Sequence, residues 1–284
     1  MIDPFIHLHV KSGYSFKYGT SHVDDLVLRA AEHGAPALAL TDRHTMAGAI
    51  VFAQSCERAG ISPILGVNLS FLQKKYRVTV LAQSGKLSSL YRFLTALNLA
   101  STDGILTHEF LASESRYSRD LLLLYGPDSP LGNLIGERQS AQALSLFAST
   151  RDLFADQAIE IVSHRAKGDG PYSTSLAARS LAFARTQNIP AILTNAVRMR
   201  DPSDGPVADI LDATRQMVPL HHKHIERANS EGYLKSSQQM YQIASEVSQA
   251  AGELSPGLLL RTTRQWAETV SYTHLRAHET DSYL

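Results

Sequence analysis

Cysteine and tryptophan each occur once in 284 residues, as Cys56 and Trp266. A lone cysteine excludes an internal disulfide and fits a reducing compartment. Net charge is lacking too: Lys and Arg total 27, Asp and Glu also total 27, and the formal charge with neutral histidines is zero. That balance removes long-range capture of nucleic acid or an anionic membrane as the main source of affinity, leaving only local basic strips. No apolar run approaches the length a bilayer demands. The opening Met-Ile-Asp-Pro-Phe-Ile-His lacks the basic and apolar regions of a secretory signal. The remaining composition, 44% hydrophobic and 19% charged, suffices for a globular core without staples. The expectation is a cytoplasmic protein with no membrane partner.

Apolar periodicity alternates between about 2 and about 3.6 residues along most of the chain. Ile6, Leu8 and Val10 occupy one face of an expected first strand, His7 and His9 the other. Ser21 reads as an N-cap, with Asp24 three residues on, before a stripe of Val23, Leu26, Val27, Ala30 and Ala31 that stops at Gly34. A strand apolar on both faces follows at 37–41. Next come a helix carrying Ala49, Phe52, Ala53 and Cys56 to Gly60, and a third strand over 64–71. Residues 76–81 read as an excursion before a helix with Leu87, Leu90, Tyr91 and Leu94. Strands at 121–125, 158–162 and 190–194 then alternate with helices at 140–148, 176–184, 207–214 and 240–247. The 207–214 helix is marked by Val207, Ile210, Leu211 and Thr214.

Repeated strand–helix units without a break place the chain in the α/β class and favour a closed parallel barrel over an open doubly wound sheet. The pattern fails after about residue 255, so residues 1–255 are assigned to one domain and 256–270 to a connector. Residues 271–284 have no apolar stripe and no cap, and resemble an adaptor-derived translated tail; the natural chain is expected to run on past about residue 270.

In a parallel barrel, chemistry gathers where strands leave the sheet at their C-terminal ends. Those exits carry His7 and His9, then Asp42 with Arg43 and His44, then Asn68, Asp128, His164, Asn195, Ala196 and Arg198. A His-x-His strand puts two imidazoles on one face, about 7 Å apart, within reach of a shared cation. The plainer reading is two hydrogen-bonded core histidines. Asp42 and His164 at neighbouring exits favour a metal-site ancestry.

Three segments carry a resemblance: His-Leu-His-Val-Lys-Ser-Gly-Tyr-Ser-Phe (7–16), Leu-Ala-Leu-Thr-Asp-Arg-His-Thr-Met-Ala-Gly-Ala (38–49) and Ala-Gly-Ile-Ser-Pro-Ile-Leu-Gly-Val-Asn (59–68). They resemble the PHP (polymerase and histidinol phosphatase) domain, in the version found at the N-terminus of bacterial DNA polymerase III alpha subunits. Pro-Ala-Ile-Leu-Thr-Asn-Ala-Val-Arg (190–198) and Asn-Ser-Glu-Gly-Tyr-Leu-Lys-Ser (229–236) follow in order and lean towards the error-prone, translesion branch. The resemblance spans about residues 3–250. It implies a distorted (β/α) barrel with a metal cluster used for phosphoester hydrolysis or proofreading, followed in the parent by a polymerase palm.

Site by site, the chain departs from that pattern. His7 and His9 match the first two ligands and Asp42 the next, but Arg43 stands where a histidine is expected, with His44 one place late. Asn68 replaces a glutamate, and the cysteine expected after 121–125 is missing from Gly126-Pro127-Asp128. His164 fits its histidine; Ala196 and Arg198 replace the final aspartate and histidine. Arginine has no lone pair to give a metal, and a hydrolytic cluster needs water activated between well-held cations. The expectation is that the cluster is gone, that this fragment has no catalytic residue and no cofactor, and that Arg43 or Arg198 fills the vacated volume and pairs with Asp42. A single residual zinc, manganese or magnesium on His7, His9, Asp42, His44 or His164 is the alternative.

The implied role is structural, with the remainder of a polymerase chain as partner, DNA reached through that parent, and other replication or repair proteins as further candidates. Polymerisation itself is not expected, because no palm fits after residue 250. The competing readings are a surviving metal phosphoesterase or 3′–5′ exonuclease on His7, His9, Asp42 and His164, and an interaction module with no nucleic-acid role. His221, His222 and His224, interrupted by Lys223, read as a solvated basic loop that could touch a DNA phosphate with Arg215 and Arg227. His274 and His278 fall in the tail, Gly168-Asp-Gly170-Pro reads as a turn, Cys56 as core packing, and Trp266 lies outside the ordered pattern.

Overall fold

Most apolar runs bounded by turn residues become strands, and the 3.6-period stripes become helices, in a computed structural model that describes residues 3–101, 103–221 and 227–270. The first half contains helix α1 (Val23–Glu32), strand β1 (Ala37–Leu40), α2 (Ala49–Ala59), β2 (Ser62–Phe71), β3 (Gln73–Ala82), α3 (Leu87–Ala100) and β4 (Ile105–Leu106). Two short helices, α4 (His108–Ser113) and α5 (Ser115–Ser118), lead to β5 (Leu121–Tyr125), α6 (Pro130–Gly136) and α7 (Ser140–Ser149). Then come β6 (Asp156–Ile161), α8 (Thr174–Thr186), β7 (Ala191–Leu193), α9 (Gly205–Gln216), α10 (Ser237–Ala250) and α11 (Gly257–Val270).

The strands form one curled sheet in the order β1-β2-β3-β5-β6-β7, with β4 paired to β2 off that path. Neighbours are parallel except at β3, which runs antiparallel to both β2 and β5. The excursion expected at 76–81 is therefore an internal strand of the sheet. Its direction follows from the tight turn at Leu72, too short for the crossover a parallel neighbour requires. The N-terminal segment closes the curl. Ala39 N donates to His7 O and Thr41 N to Val10 O on one side, while Lys11 N donates to Val197 O and Val197 N to His9 O on the other. The result is a distorted (β/α) barrel.

Residues 7–10 do not make a regular strand: the chain bends at Leu8. Leu8 joins an interior cluster with Ala39, Ile64, Leu124, Ala158 and Ile192, whereas Val10 packs outside with α1 and α2. The three residues thus do not share the face that simple alternation predicts.

Three local expectations are corrected. Ser21 is not the cap of α1; His22 holds that position without a side-chain bond, and Ser21 Oγ instead accepts from Arg200 N at 2.9 Å. The connector at 256–270 is helix α11, whose Trp266, Ala267 and Val270 join the interior cluster. Its Thr263 Oγ1 accepts the amide of Leu193 on β7 at 2.8 Å. Trp266 is thus part of the ordered core. Finally, α9 is inside out relative to its apolar stripe: Val207 and Ile210 are 45% and 52% exposed while Asp209 and Asp212 are buried. Ion pairs reverse it, because Arg198 and Arg227 lie beneath and claim the two carboxylates. The tail 271–284 lies outside the described residues.

Candidate functional site

Extended backbone leaving β1, β2, β5, β6 and β7 brings the exit residues to one end of the barrel, where a pocket is lined by His9, Lys11, Arg43, Asn68, Arg77 and Glu160, among others. At its floor three side chains form a relay. Glu160 Oε1 lies 2.6 Å from His9 Nδ1, and Lys11 Nζ lies 2.5 Å from His9 Nε2. A carboxylate can only accept and an ammonium only donate. The His9 proton therefore sits on Nδ1, and the Nε2 lone pair receives the lysine. Burial holds the His9 imidazole below its usual range, keeping it neutral. Burial also pushes Lys11 down to about 7, reinforced by Arg43. For Glu160 burial acts upward, but His9, Thr194 and Lys11 together bring the carboxyl below its ordinary range.

Neither Lys11 nor Glu160 was among the candidate site residues, yet both had a visible signal. Glu160 is a charge inside an apolar run, Ile-Glu-Ile, and Lys11 follows His9 at i+2, the position that shares a face with it on an extended segment. Gly126 completes the arrangement: a Cβ there would stand 2.4 Å from Glu160 Oε2, so the exit of β5 has no room for a side chain while that carboxylate is in place.

The remaining candidates have separate partners. His7 Nε2 lies 2.9 Å from Lys235 O, and His164 Nε2 lies 2.8 Å from Asn195 O. A carbonyl oxygen takes only a proton, so both nitrogens carry hydrogen and present no lone pair. Burial lowers both imidazoles to about 4. Among the described residues His7 Nδ1 is buried without a partner, and the His164 ring stacks on Tyr172 at 4.7 Å. The bend at Leu8 thus separates the two histidines that a straight strand would have paired.

Among the described residues Asp42 pairs with no arginine, contrary to expectation. It accepts from Ser12 N at 2.7 Å, Ser12 Oγ at 2.8 Å and Ser15 Oγ at 2.6 Å. Arg198 turns away to make a two-pronged bond with Asp212, at 3.0 and 3.1 Å. Arg43 stacks its guanidinium 3.2 Å from the centre of the Tyr18 ring, with Arg198 3.9 Å from the same centre. At the next exit, Asn68 Oδ1 accepts from Arg77 Nε at 2.9 Å, and Arg77 Nη1 reaches His44 Nε2 at 2.9 Å. Burial, then Arg77 and Arg43, lower His44 to about 4. Ala196 lines the pocket and offers no ligand atom. Among the described residues, no group of three or more His, Cys, Asp or Glu converges as a metal site would.

Away from the pocket, Arg215 pairs with Asp212 and Arg227 with Asp209, so both supposed phosphate contacts are engaged within the protein. His221 is exposed; His222, Lys223 and His224 lie outside the described residues, as do His274 and His278. Residues 168–171 form a turn leading to Ser173, whose Oγ caps α8 by accepting from Leu176 N.

The sequence matches the PHP domain family over residues 7–164, more than half its length. The chain belongs to the PHP family. It is 31% identical over 270 residues to an error-prone DNA polymerase of Symbiobacterium thermophilum, covering 87% of this chain and 24% of that protein. A DNA polymerase III subunit alpha of Buchnera aphidicola is 26% identical over 257 residues, covering 87% and 22% respectively. An error-prone DNA polymerase of Pseudomonas savastanoi is 26% identical over 238 residues, covering 83% and 22%. This PHP chain spans about a quarter of the length of the curated relatives it matches. Among the described residues no helix is long and apolar enough to cross a membrane.

Proposed function

We propose that this chain is the PHP module of a bacterial DNA polymerase of the error-prone or polymerase III alpha type, with a degenerate metal site and a structural, docking role. The observation that carries the reading is the Lys11 ammonium on His9 Nε2. That lone pair is taken up by a lysine donor at hydrogen-bond distance, and in its protonated form the amine also repels a metal from it. The rest of the donor set fits no better. His7 and His164 spend Nε2 on carbonyls, Asp42 is filled by three neutral donors, and Arg77 covers Asn68. One unpartnered imidazole nitrogen, His7 Nδ1, does not make a site. The chain's own residues therefore provide no activated water and no step of hydrolysis.

Docking rests on α9. Its acidic side is locked inward, so Val207 and Ile210 remain exposed on its outer face, with Met217 and Leu220 exposed just beyond its end. Relatives about four times as long supply the occupant, namely the remainder of a polymerase chain. DNA is then met through that larger body, in the cytoplasm, where other replication or repair proteins would also meet it.

Elemental analysis tests the reading. Protein purified without chelator and dialysed against zinc or manganese is expected to carry substoichiometric metal and to hydrolyse neither single-stranded DNA nor a phosphomonoester. Stoichiometric metal with chelator-sensitive hydrolysis would overturn it.

A further inference from the structure

We propose that the strand-exit pocket is a seat for a single halide ion, chloride, held by Arg43 and Arg77 beside the Lys11 amine. The inference rests on the degenerate-site reading above and goes beyond it by naming an occupant of the opposite charge to a metal.

Size limits the occupant first. The pocket's free volume, about 10 Å³, admits one body the size of a water molecule. Phosphate, sulfate and organic anions are too large, whereas a halide ion is close to water in size. Arg43 and Arg77 are half-buried, so an ion reaches them from solvent.

Charge and spare donors then favour an anion over water. Among the described residues neither arginine, nor Lys11, makes an ion pair with a carboxylate. The two acids that line the pocket are turned to other donors: Asp128 accepts the Tyr172 hydroxyl, and Glu160 accepts from His9 and from Thr194 Oγ1 at 2.5 Å. The positive groups meanwhile lie near enough to repel one another. Burial, then Arg43, lowers Arg77 to about 9 and Lys11 to about 7. Arg77 spends four of its five hydrogens on Asn68, His44 and Ser70, leaving one. The Arg43 guanidinium spends none on the described residues, and its Nε is buried without a partner. Stacking on Tyr18 at 3.2 Å fixes the plane of that guanidinium, so its donors are set before an ion arrives. A water molecule could accept these hydrogens but would leave the like charges unscreened. A spherical anion accepts from several directions at once and offsets the repulsion.

The nuclear-resonance line width of chloride tests the seat, measured with the full chain in EDTA at constant ionic strength, with gluconate as the balancing anion. The protein is expected to broaden the line, bromide to reverse the broadening, and phosphate at equal ionic strength to leave it in place. Arg43→Gln is expected to weaken chloride binding roughly tenfold, the loss of one charge-assisted hydrogen bond. Arg77→Gln should weaken it likewise, while Arg92→Gln, which removes the same charge from the exposed face of α3, should not. Near saturation, chloride should also raise the melting temperature by roughly 2–4 °C over gluconate, and Arg43→Gln should abolish that rise. Absence of broadening, which leaves the pocket to water, overturns the seat alone. So does broadening unaffected by Arg43→Gln, equally reduced by Arg92→Gln, or reversed by phosphate. Broadening that requires added zinc overturns both the seat and the metal-free reading beneath it.

Discussion

Glu160 grips His9 through Nδ1 at 2.6 Å, and that single contact determines which nitrogen faces the pocket. With the proton held on Nδ1, Nε2 becomes an acceptor, and Lys11 occupies it. The barrel closure that places β6 opposite the N-terminal segment brings together residues 151 positions apart. Under the reading proposed above, Arg43, Asn68, Ala196 and Arg198 stand where ligands would be, and Lys11 Nζ stands at His9 Nε2.

Glu160→Gln is expected to destabilise the fold by about 2–4 kcal/mol, because it removes one partner of a buried charged network and leaves Lys11 uncompensated. Urea unfolding followed by the fluorescence of Trp266 reads the change. A shift smaller than about 0.5 kcal/mol would mean that His9 is not held by this contact.

Metal binding should not return with the obvious reversions. The triple variant Arg43→His, Ala196→Asp, Arg198→His is expected to remain metal-poor while Lys11 is present, and to take up zinc once Lys11→Ala is added. Competition against a zinc chelator measures this. Stoichiometric zinc in the triple variant alone would show that Lys11 does not block the site. Arg198→His also loosens Asp212, although Arg215 at 3.1 Å retains part of that pair.

Acid should destabilise the protein earlier than carboxylate protonation alone would. His7 and His164 have their folded-state values lowered from 6.5 to about 4 by burial. Between those values the unfolded chain binds more protons than the folded one, so stability is full above about 6.5 and falls as the pH drops towards 4. Urea midpoints measured across that window in metal-free buffer are expected to decline. Replacing His164 by Gln should flatten the decline. An unchanged slope would place the titrating group elsewhere.

The exposed strip on α9 should matter for docking and not for folding. Val207→Ser with Ile210→Ser is expected to change stability by less than about 0.5 kcal/mol per site, since both side chains are about half exposed already. Association with the separately produced remainder of a full-length relative, followed by calorimetry, should weaken. Undiminished association would exclude this face.

Much of the architecture was legible in the sequence. The apolar run Leu121–Tyr125 forms β5, the α2 stripe ends at Gly60 in the left-handed conformation, and ordered motifs from His7 to His164 carry the family. These features are local: each depends on neighbours within a few turns or along one strand, and periodicity records them. The identities of Arg43, Asn68, Ala196 and Arg198, on which the proposed loss of ligands rests, are likewise read directly from the sequence.

Tertiary structure alone decided who pairs with whom. His7 meets the carbonyl of Lys235 across 228 residues, Asp42 takes serines in place of arginine, and Arg198 leaves the pocket for Asp212. The inversion of α9 and the packing of α11 into the barrel have the same origin. A buried charge or an apolar face is satisfied by whatever partner the closed barrel brings within about 3 Å, and hydrophobic period along a chain contains no information about that distance.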